Sequence, residues 1–341
     1  MSVDERGRTV AVVGATGAVG EVLLRVLEER SFPVSELRAL ASARSEGSTV
    51  RFRGQDVPVR LAEPDAFDGV DFVFFAATGS LSKELAPEAA RRGAVAIDKS
   101  STWRMEADVP LVVPEVNGAA VEKHRGIVSC PNCTTTPLAM TLEALRRVAE
   151  VREAIVTTFQ AVSGAGLPGL EELENQQRAR QAGEPRPEPR AFAAPIADNV
   201  VPLCETFLDN GYSTEEIKLL HETRKILDDP ELRVTMTCTR VPVPVGHAAS
   251  VLVETGRPLS AEEAREAFAA FPGIELIDEP ERGRFPTQDM VAGRDEVLVG
   301  RVRRDLSSSR LWFWECGDNL RKGAATNAVQ IAEELIGRGL R

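Results

Sequence analysis

A chain of 341 residues, 43% hydrophobic and 27% charged, has the make-up of a globular protein and is longer than one hydrophobic core usually supports, so two domains are expected. The formal net charge of −11 excludes a general nucleic-acid binder, which needs a basic surface, but not small anions held by local Arg and Lys groups. No apolar run approaches the ~20 residues of a membrane-spanning helix. The opening MSVDERGRTV lacks the apolar core and cleavage site of a signal peptide. Five scattered cysteines (Cys130, Cys133, Cys204, Cys238, Cys316) suit a reducing cytoplasm better than a disulfide framework.

Residues 9–13 (TVAVV) predict a strand, followed by the glycine-rich GATGAVG of residues 14–20. Val19, Val22, Leu23, Val26 and Leu27 then form the apolar stripe of a helix. Strand, glycine turn and helix together are the setting of a dinucleotide site, with the pyrophosphate on free N–H groups at the helix start. An NAD site typically has Asp or Glu near the end of the second strand, here residues 37–41. This chain has Ser42, Arg44 and Ser45 instead, which suit a 2′-phosphate and point to NADP; a solvated Arg44 beside Glu46 is the plain alternative.

The β–α rhythm continues through a strand at 72–77 (FVFFAA), a helix over SKELAPEAARR and a strand at 94–97. A short strand, Ile127–Ser129, delivers the chain to CPNCTTTP, residues 130–137. Ligands in such sheets bind beyond the strands' carboxyl ends, so Cys133 is expected beside the nicotinamide end of a cofactor. Zinc is disfavoured because no second pair of ligands has suitable spacing, and no metal site is expected. A redox dithiol of Cys130 and Cys133 stays open. A nucleophile is better supported: residues 134–149 predict a helix with Leu138, Leu142, Leu145 and Ala149 on one stripe, capped by Thr134 or Thr135, with Pro137 in its first turn. Cys133 then lies where the helix dipole favours a thiolate.

Three histidines limit the search for an acid or base. His124 lies in a charged, exposed turn, and His221 on an amphipathic helix. His247, in a loop between two strands, is the best candidate. Val234, Met236, Cys238 and Arg240 alternate along a strand, which puts a guanidinium on an apolar face; it needs a carboxylate, either the substrate's or that of a structural ion pair. Strands at 155–161, 234–241, 249–254, 297–303 and 311–316 predict a mixed or antiparallel second sheet. GEPRPEPR (183–190) reads as a loop, and a final helix bearing Val329, Ala332 and Ile336 as one that returns to the first domain.

Taken together, GATGAVG, LASARSEG (40–47), DKSSTWRM (98–105), VPLVVPEVN (109–117), PNCTT (131–135), QAVSGAG (160–166), EEIK (215–218), ETRKIL (222–227), RVPVPVGH (240–247) and DNLRKGAATNAVQ (318–330) resemble the bacterial aspartate-β-semialdehyde dehydrogenases along nearly the whole chain. The resemblance implies an α/β fold: a Rossmann-type NADP-binding domain, 1–132 with 319–341, and a glyceraldehyde-phosphate-dehydrogenase-like α+β catalytic and dimerisation domain, 133–318. It implies Cys133 as nucleophile, His247 as acid/base and Gln160 as the group orienting substrate and histidine. Arg240 would bind the substrate carboxylate and Glu215 its amino group. Arg104, Asn132 and Lys218 would bind phosphate, Asn132 also assisting at the oxyanion, although Glu215 and Glu222 could make Lys218 a plain ion-pair partner. NADP would meet Gly14, Thr16, Gly17, Ala18, Val19, Gly20, Ser42, Arg44, Ser45, Ser163, Gly164 and Asn319.

The implied reaction is reversible NADPH-dependent reduction of aspartyl-4-phosphate to aspartate semialdehyde and inorganic phosphate, towards lysine, threonine and methionine, by a homodimer or homotetramer. Cys130, Thr134, Pro137 and Ser48 depart from the family's usual residues, which leaves the role of Cys130 open. An N-acetyl-γ-glutamyl-phosphate reductase fits less well, because Asn132 and Thr134 flank the cysteine where that family has glycine and tyrosine. A non-catalytic NADP-binding redox sensor using Cys130 and Cys133 is the rival from another class; it would need none of Gln160, Arg240 and His247.

Overall fold

The computed structural model describes residues 7–341. The chain divides into two compact units, one running to Asn132 and resuming over Ala324–Arg341, the other Cys133–Gly323. In the first unit, β1 (Arg8–Val13) leads through the glycine turn into α1 (Ala18–Glu29) and β2 (Val34–Ala41). A hairpin follows, β3 (Thr49–Phe52) and β4 (Gln55–Leu61), then β5 (Phe72–Phe75), α2 (Gly79–Arg91), β6 (Val95–Asp98), the single turn α3 (Pro114–Asn117) and β7 (Ile127–Ser129). The sheet order is β3-β4-β2-β1-β5-β6-β7, and every neighbouring pair is parallel except the hairpin.

β5 shows why its sequence is apolar without alternation. Phe72 and Phe74 meet Phe32 edge-on on one face, at 5.9 and 6.4 Å, while Phe75 meets Phe67 on the other at 6.1 Å. The hairpin has no counterpart in the sequence reading. Its turn places Arg53 and Gly54 at φ +48° and +73°, the two positive angles a tight hairpin needs, without the usual Asn-Gly signal. Its strands lie at the sheet edge and tolerate the exposed Pro58, so they carry little apolar pattern.

The second unit opens with α4 (Thr135–Arg146) and β8 (Val151–Gln160), then α5 (Leu167–Ala182), α6 (Thr214–Ile226), β9 (Arg233–Arg240) and β10 (His247–Thr255). It closes with α7 (Ala261–Ala269), β11 (Ile274–Leu276), β12 (Val297–Arg304) and β13 (Leu311–Gly317). The order is β11-β12-β13-β10-β8-β9, with β8–β9 and β11–β12 parallel and the remaining pairs antiparallel, a mixed sheet. α4 is buried on nearly every side rather than along one stripe. Thr134 caps it by position only: its backbone is already helical (φ −86°, ψ −32°), and its side chain makes no capping hydrogen bond. The expected threonine cap is therefore corrected, since capping needs an extended backbone at that residue.

The last helix, α8 (Thr326–Gly337), packs in the first unit, where Asn327 donates to the Val112 carbonyl (2.9 Å) and Glu333 pairs with Arg30 (2.6 Å). The return comes at Ala324 rather than Asn319, because Asn319 is tied into the second unit by bonds to Ser163 and Gly246. No helix of the described residues is long and apolar enough to cross a membrane.

The glycine turn is fixed by space. A Cβ at Gly20 would stand 2.1 Å from the Gly14 carbonyl oxygen, and Gly14 itself has φ +85°. Gly20→Ala is therefore expected to cost about 2 kcal/mol or more of stability and to weaken dinucleotide binding, as read by thermal unfolding and cofactor titration.

Candidate active site

The second unit gathers Gln160, Arg240 and His247 around the carboxyl ends of the parallel strands β8 and β9, where Gln160 and Arg240 are register partners. Gln160 is held at both ends of its amide. Its Oε1 accepts from Thr158 Oγ1 (3.1 Å), and its Nε2 donates to Glu215 Oε1 (3.0 Å). Thr158, fully buried, also accepts the Thr239 N–H (3.2 Å), so its hydroxyl is committed in direction. Flipping the Gln160 amide would set its oxygen against the Glu215 carboxylate oxygen.

Ala161, next in the chain, serves both neighbouring groups with its backbone. Its N–H donates to His247 Nδ1 (3.0 Å), and its carbonyl accepts from Arg240 Nη1 (2.8 Å). With Nδ1 accepting, the neutral imidazole carries its proton on Nε2. His247 is thereby a hydrogen-bond donor as it stands, and service as a base requires Nδ1 to leave Ala161 first. Arg240 is 5% exposed, its Nε has no hydrogen-bond partner, and no carboxylate of the described residues pairs with it. That removes the structural ion-pair reading and leaves a buried cation with donors to spare. The Phe192 ring lies 5.7 Å from the guanidinium. Gly164 sits between the two heads: a methyl there would come within 2.5 Å of Arg240 Nη1 and 3.2 Å of His247 Nε2.

α6 supplies Glu215 and Lys218 from a firm mount. Ser213 and Glu216 form a capping box, and Glu216 Oε1 accepts the edge-strand N–H of Cys238 (2.9 Å). Glu215 is buried. Lys218 is ion-paired with Glu205 and also with Glu215 (3.6 Å), one of the two ion-pair partners contemplated for it. Cys204, whose thiol burial pushes up to about 12, lies near enough to Arg240, Glu215 and Cys133 for their charges to act on it, which places the four in one neighbourhood. Asn319 bonds Ser163 Oγ (2.9 Å) and accepts the Gly246 N–H (2.9 Å), which joins the loops on either side of the site.

In the first unit, Arg104 is buried and spans two loops, donating to the carbonyls of Cys130 (3.0 Å) and Lys99 (2.8 Å). Burial pushes the Cys130 thiol up to about 12, which makes it a poor partner for thiol exchange and weakens the sensor reading. Asn132 is also buried. Gly17 starts α1 in an extended conformation without a side-chain cap, so no capping side chain covers the N–H groups of the helix's first turn, Ala18, Val19 and Gly20. Thr16 Oγ1 reaches Ser45 Oγ (3.3 Å), which brings the glycine turn to the loop after β2. Ser42 and Arg44 are exposed there, and Arg44 makes no bond to another described residue. This glycine turn and the loop after β2 fit a dinucleotide cofactor. His124 is half-buried rather than exposed and accepts the Gly126 N–H through Nδ1 (3.0 Å). No group of three or more His, Cys, Asp or Glu among the described residues could hold a metal ion. Ala161 and Thr158 escaped the sequence reading, one because it acts through its backbone and the other because nothing distinguishes it from a strand threonine.

Residues 9–124 match the family model described as semialdehyde dehydrogenase, NAD binding domain, and residues 142–322 match semialdehyde dehydrogenase, dimerisation domain. The aspartate-semialdehyde dehydrogenase of Aquifex aeolicus is 48% identical over 338 residues, 98% of this chain and 99% of that one. The crystal structure of aspartate semialdehyde dehydrogenase II from Vibrio cholerae, complexed with ASA, superposes with a TM-score of 0.94 at 46% identity, over 97% of this chain and 99% of that one. An aspartate semialdehyde dehydrogenase from Candida albicans, solved with NADP, has a TM-score of 0.76 at 25% identity, over 98% of this chain and 100% of that one. The chain belongs to the aspartate-semialdehyde dehydrogenase family.

Proposed function

We propose that the protein interconverts aspartyl-4-phosphate and aspartate 4-semialdehyde with NADP(H), through a thioester on Cys133. The observation that carries the reading is the buried Arg240, without an anionic partner, set beside the doubly held Gln160 and the oriented His247. Arg240 takes the substrate α-carboxylate, and Glu215 takes the ammonium group. Gln160 fixes the distance between them.

Taken in the oxidative direction, Cys133 reacts as the thiolate, favoured at the start of α4, and its sulfur bonds the aldehyde carbon. The oxyanion that develops is held by His247 Nε2–H, with N–H groups at the helix start and Asn132 as further donors. The bound nicotinamide supplies the two-electron acceptor in this direction and the donor in the other. The oxyanion lone pair re-forms the carbonyl as the C–H bond breaks and its electron pair leaves with the hydrogen, which gives the thioester. A phosphate oxygen then bonds the acyl carbon, the C–S bond breaks and Cys133 leaves as thiolate. Arg104, Asn132 and Lys218 receive the phosphate, and for Lys218 this means giving up Glu205. Since Cys133 enters and leaves as thiolate, no base is needed at the sulfur; the proton carried in on hydrogenphosphate passes to solvent, and His247 narrows from the expected acid/base to a donor.

The 2′-phosphate reading of Ser42, Arg44 and Ser45 favours NADP over NAD, and the Candida relative solved with NADP supports it. The match of the second unit to a dimerisation domain supports a homodimer or homotetramer, and five free cysteines suit a reducing cytoplasm.

The test is phosphate-dependent reduction of NADP⁺ with aspartate semialdehyde. Wild-type turnover should vanish without phosphate and weaken with NAD⁺, and Cys133→Ala should lose at least about a thousandfold in kcat/KM. Turnover that ignores phosphate or survives the Cys133 change would refute the mechanism. Arg240→Leu should raise the semialdehyde KM on the order of a hundredfold while NADPH affinity, by fluorescence titration, stays unchanged; equal loss of both would remove Arg240 from the substrate.

A further inference from the structure

β13 carries an acid where an apolar residue is expected. Glu315 is 1% exposed, between Phe313 and Gly317 on the face covered by α4 and α7. Its cross-strand neighbours are Ala249 on β10 and Val299 on β12, and α7 packs nearby through Phe268 on Phe313 (5.1 Å). The polar group it meets is Thr141 of α4, whose Oγ1 lies 2.6 Å from Glu315 Oε2. No charged side chain from these elements acts on it: burial dominates and pushes the carboxyl up to about 8, which the Thr141 bond offsets only in part.

The location gives this bond consequences. α4 runs along β13 with Pro137 over Gly317, where an added methyl would stand 3.7 Å from the proline ring, and Thr141 over Glu315. Cys133 lies just before the N-terminus of α4, and Gly317 is the register partner of His247. The Thr141–Glu315 bond therefore ties the helix that carries the nucleophile to the strand paired with the histidine. Thr141 Oγ1 also lies 3.0 Å from the Leu138 carbonyl and 3.2 Å from that of Pro137. A protonated Glu315 can donate to Thr141, which then donates back into the first turn of α4, so every group in the chain is satisfied. An ionised Glu315 takes the only hydroxyl proton for itself and leaves a charge with no counter-ion in an apolar layer.

We propose that Glu315 is a positioning residue which, in its neutral form, fixes α4 and hence Cys133 against the strand pair carrying His247. For activity this rests on the reaction proposed above; for stability it does not. A folded-state pKa raised above the unfolded value means that the native state binds the extra proton, so stability falls as pH rises from about 4.5 towards about 8 and then levels off.

The experiment compares wild type, Glu315→Gln, Glu315→Leu and Thr141→Val in thermal unfolding from pH 5 to 9.5 and in kcat/KM over the same range. Glu315→Gln keeps a neutral donor, so at pH 6.5 its kcat/KM should stay within about threefold of wild type, whereas Glu315→Leu and Thr141→Val lose about tenfold. The Tm of Glu315→Gln minus that of wild type should rise between pH 5 and 8 and flatten above it, and the loss of wild-type kcat/KM above pH 8 should shrink in Glu315→Gln. A Tm difference independent of pH, or a Glu315→Gln variant as impaired as Glu315→Leu, would overturn the proposal. The unfolding arm needs no substrate, so a wild type inactive on aspartate semialdehyde would refute the proposed reaction and leave this arm to decide separately.

Discussion

The second unit depends on one peptide residue. Ala161 leaves β8 just after Gln160 and offers its N–H to His247 and its carbonyl to Arg240, so a single backbone position orients both the imidazole and the guanidinium. Neither partner could be held as well by a side chain, because a side chain adds rotamer freedom that a strand end does not have. The buried Arg240 has no carboxylate of the described residues to neutralise it, and the Ala161 carbonyl offsets only part of its lost hydration. Under the proposed reaction, a substrate carboxylate would recover that residual cost.

The surroundings keep Ala161 where it is. β8 is flanked by β10 on one side and β9 on the other, and the outer edge of β9 is closed by Glu216 on the Cys238 N–H and by reciprocal backbone bonds between Val201 and Arg240. Gln176 and Glu172 on α5 accept N–H groups from residues 190, 191, 196 and 197, which secures the segment that lays Phe192 beside Arg240. Arg240 is thus held by a neutral carbonyl, while Lys218 on α6 is held by carboxylates.

Much of this was legible in the sequence, for physical reasons that differ from place to place. The glycine turn stood out because Gly14 and Gly20 occupy a space without room for a Cβ, and β5 because a strand covered on both faces has no polar alternation. Arg240 was visible as a cation in an apolar strand pattern. The β3–β4 hairpin was not, because its turn uses Arg53 in place of the usual asparagine and its edge strands are half polar. α4 looked amphipathic although it is buried on almost every side, since its small Thr and Ala residues carry little hydrophobic signal. Ala161 could not be found from sequence at all, because its contribution lies in the main chain. The proposed narrowing of His247 to a donor rests on that same main-chain N–H.

The most direct measurement is a single-turnover experiment without phosphate. Wild-type enzyme mixed with NADP⁺ and aspartate semialdehyde should release a burst of NADPH stoichiometric with active sites and then stall, and mass spectrometry should find the acyl group on the peptide containing Cys133. Adding phosphate should restart turnover and clear the adduct. A burst absent in the wild type, or an adduct on any other residue, would contradict a thioester at Cys133 and with it the account of how this site works.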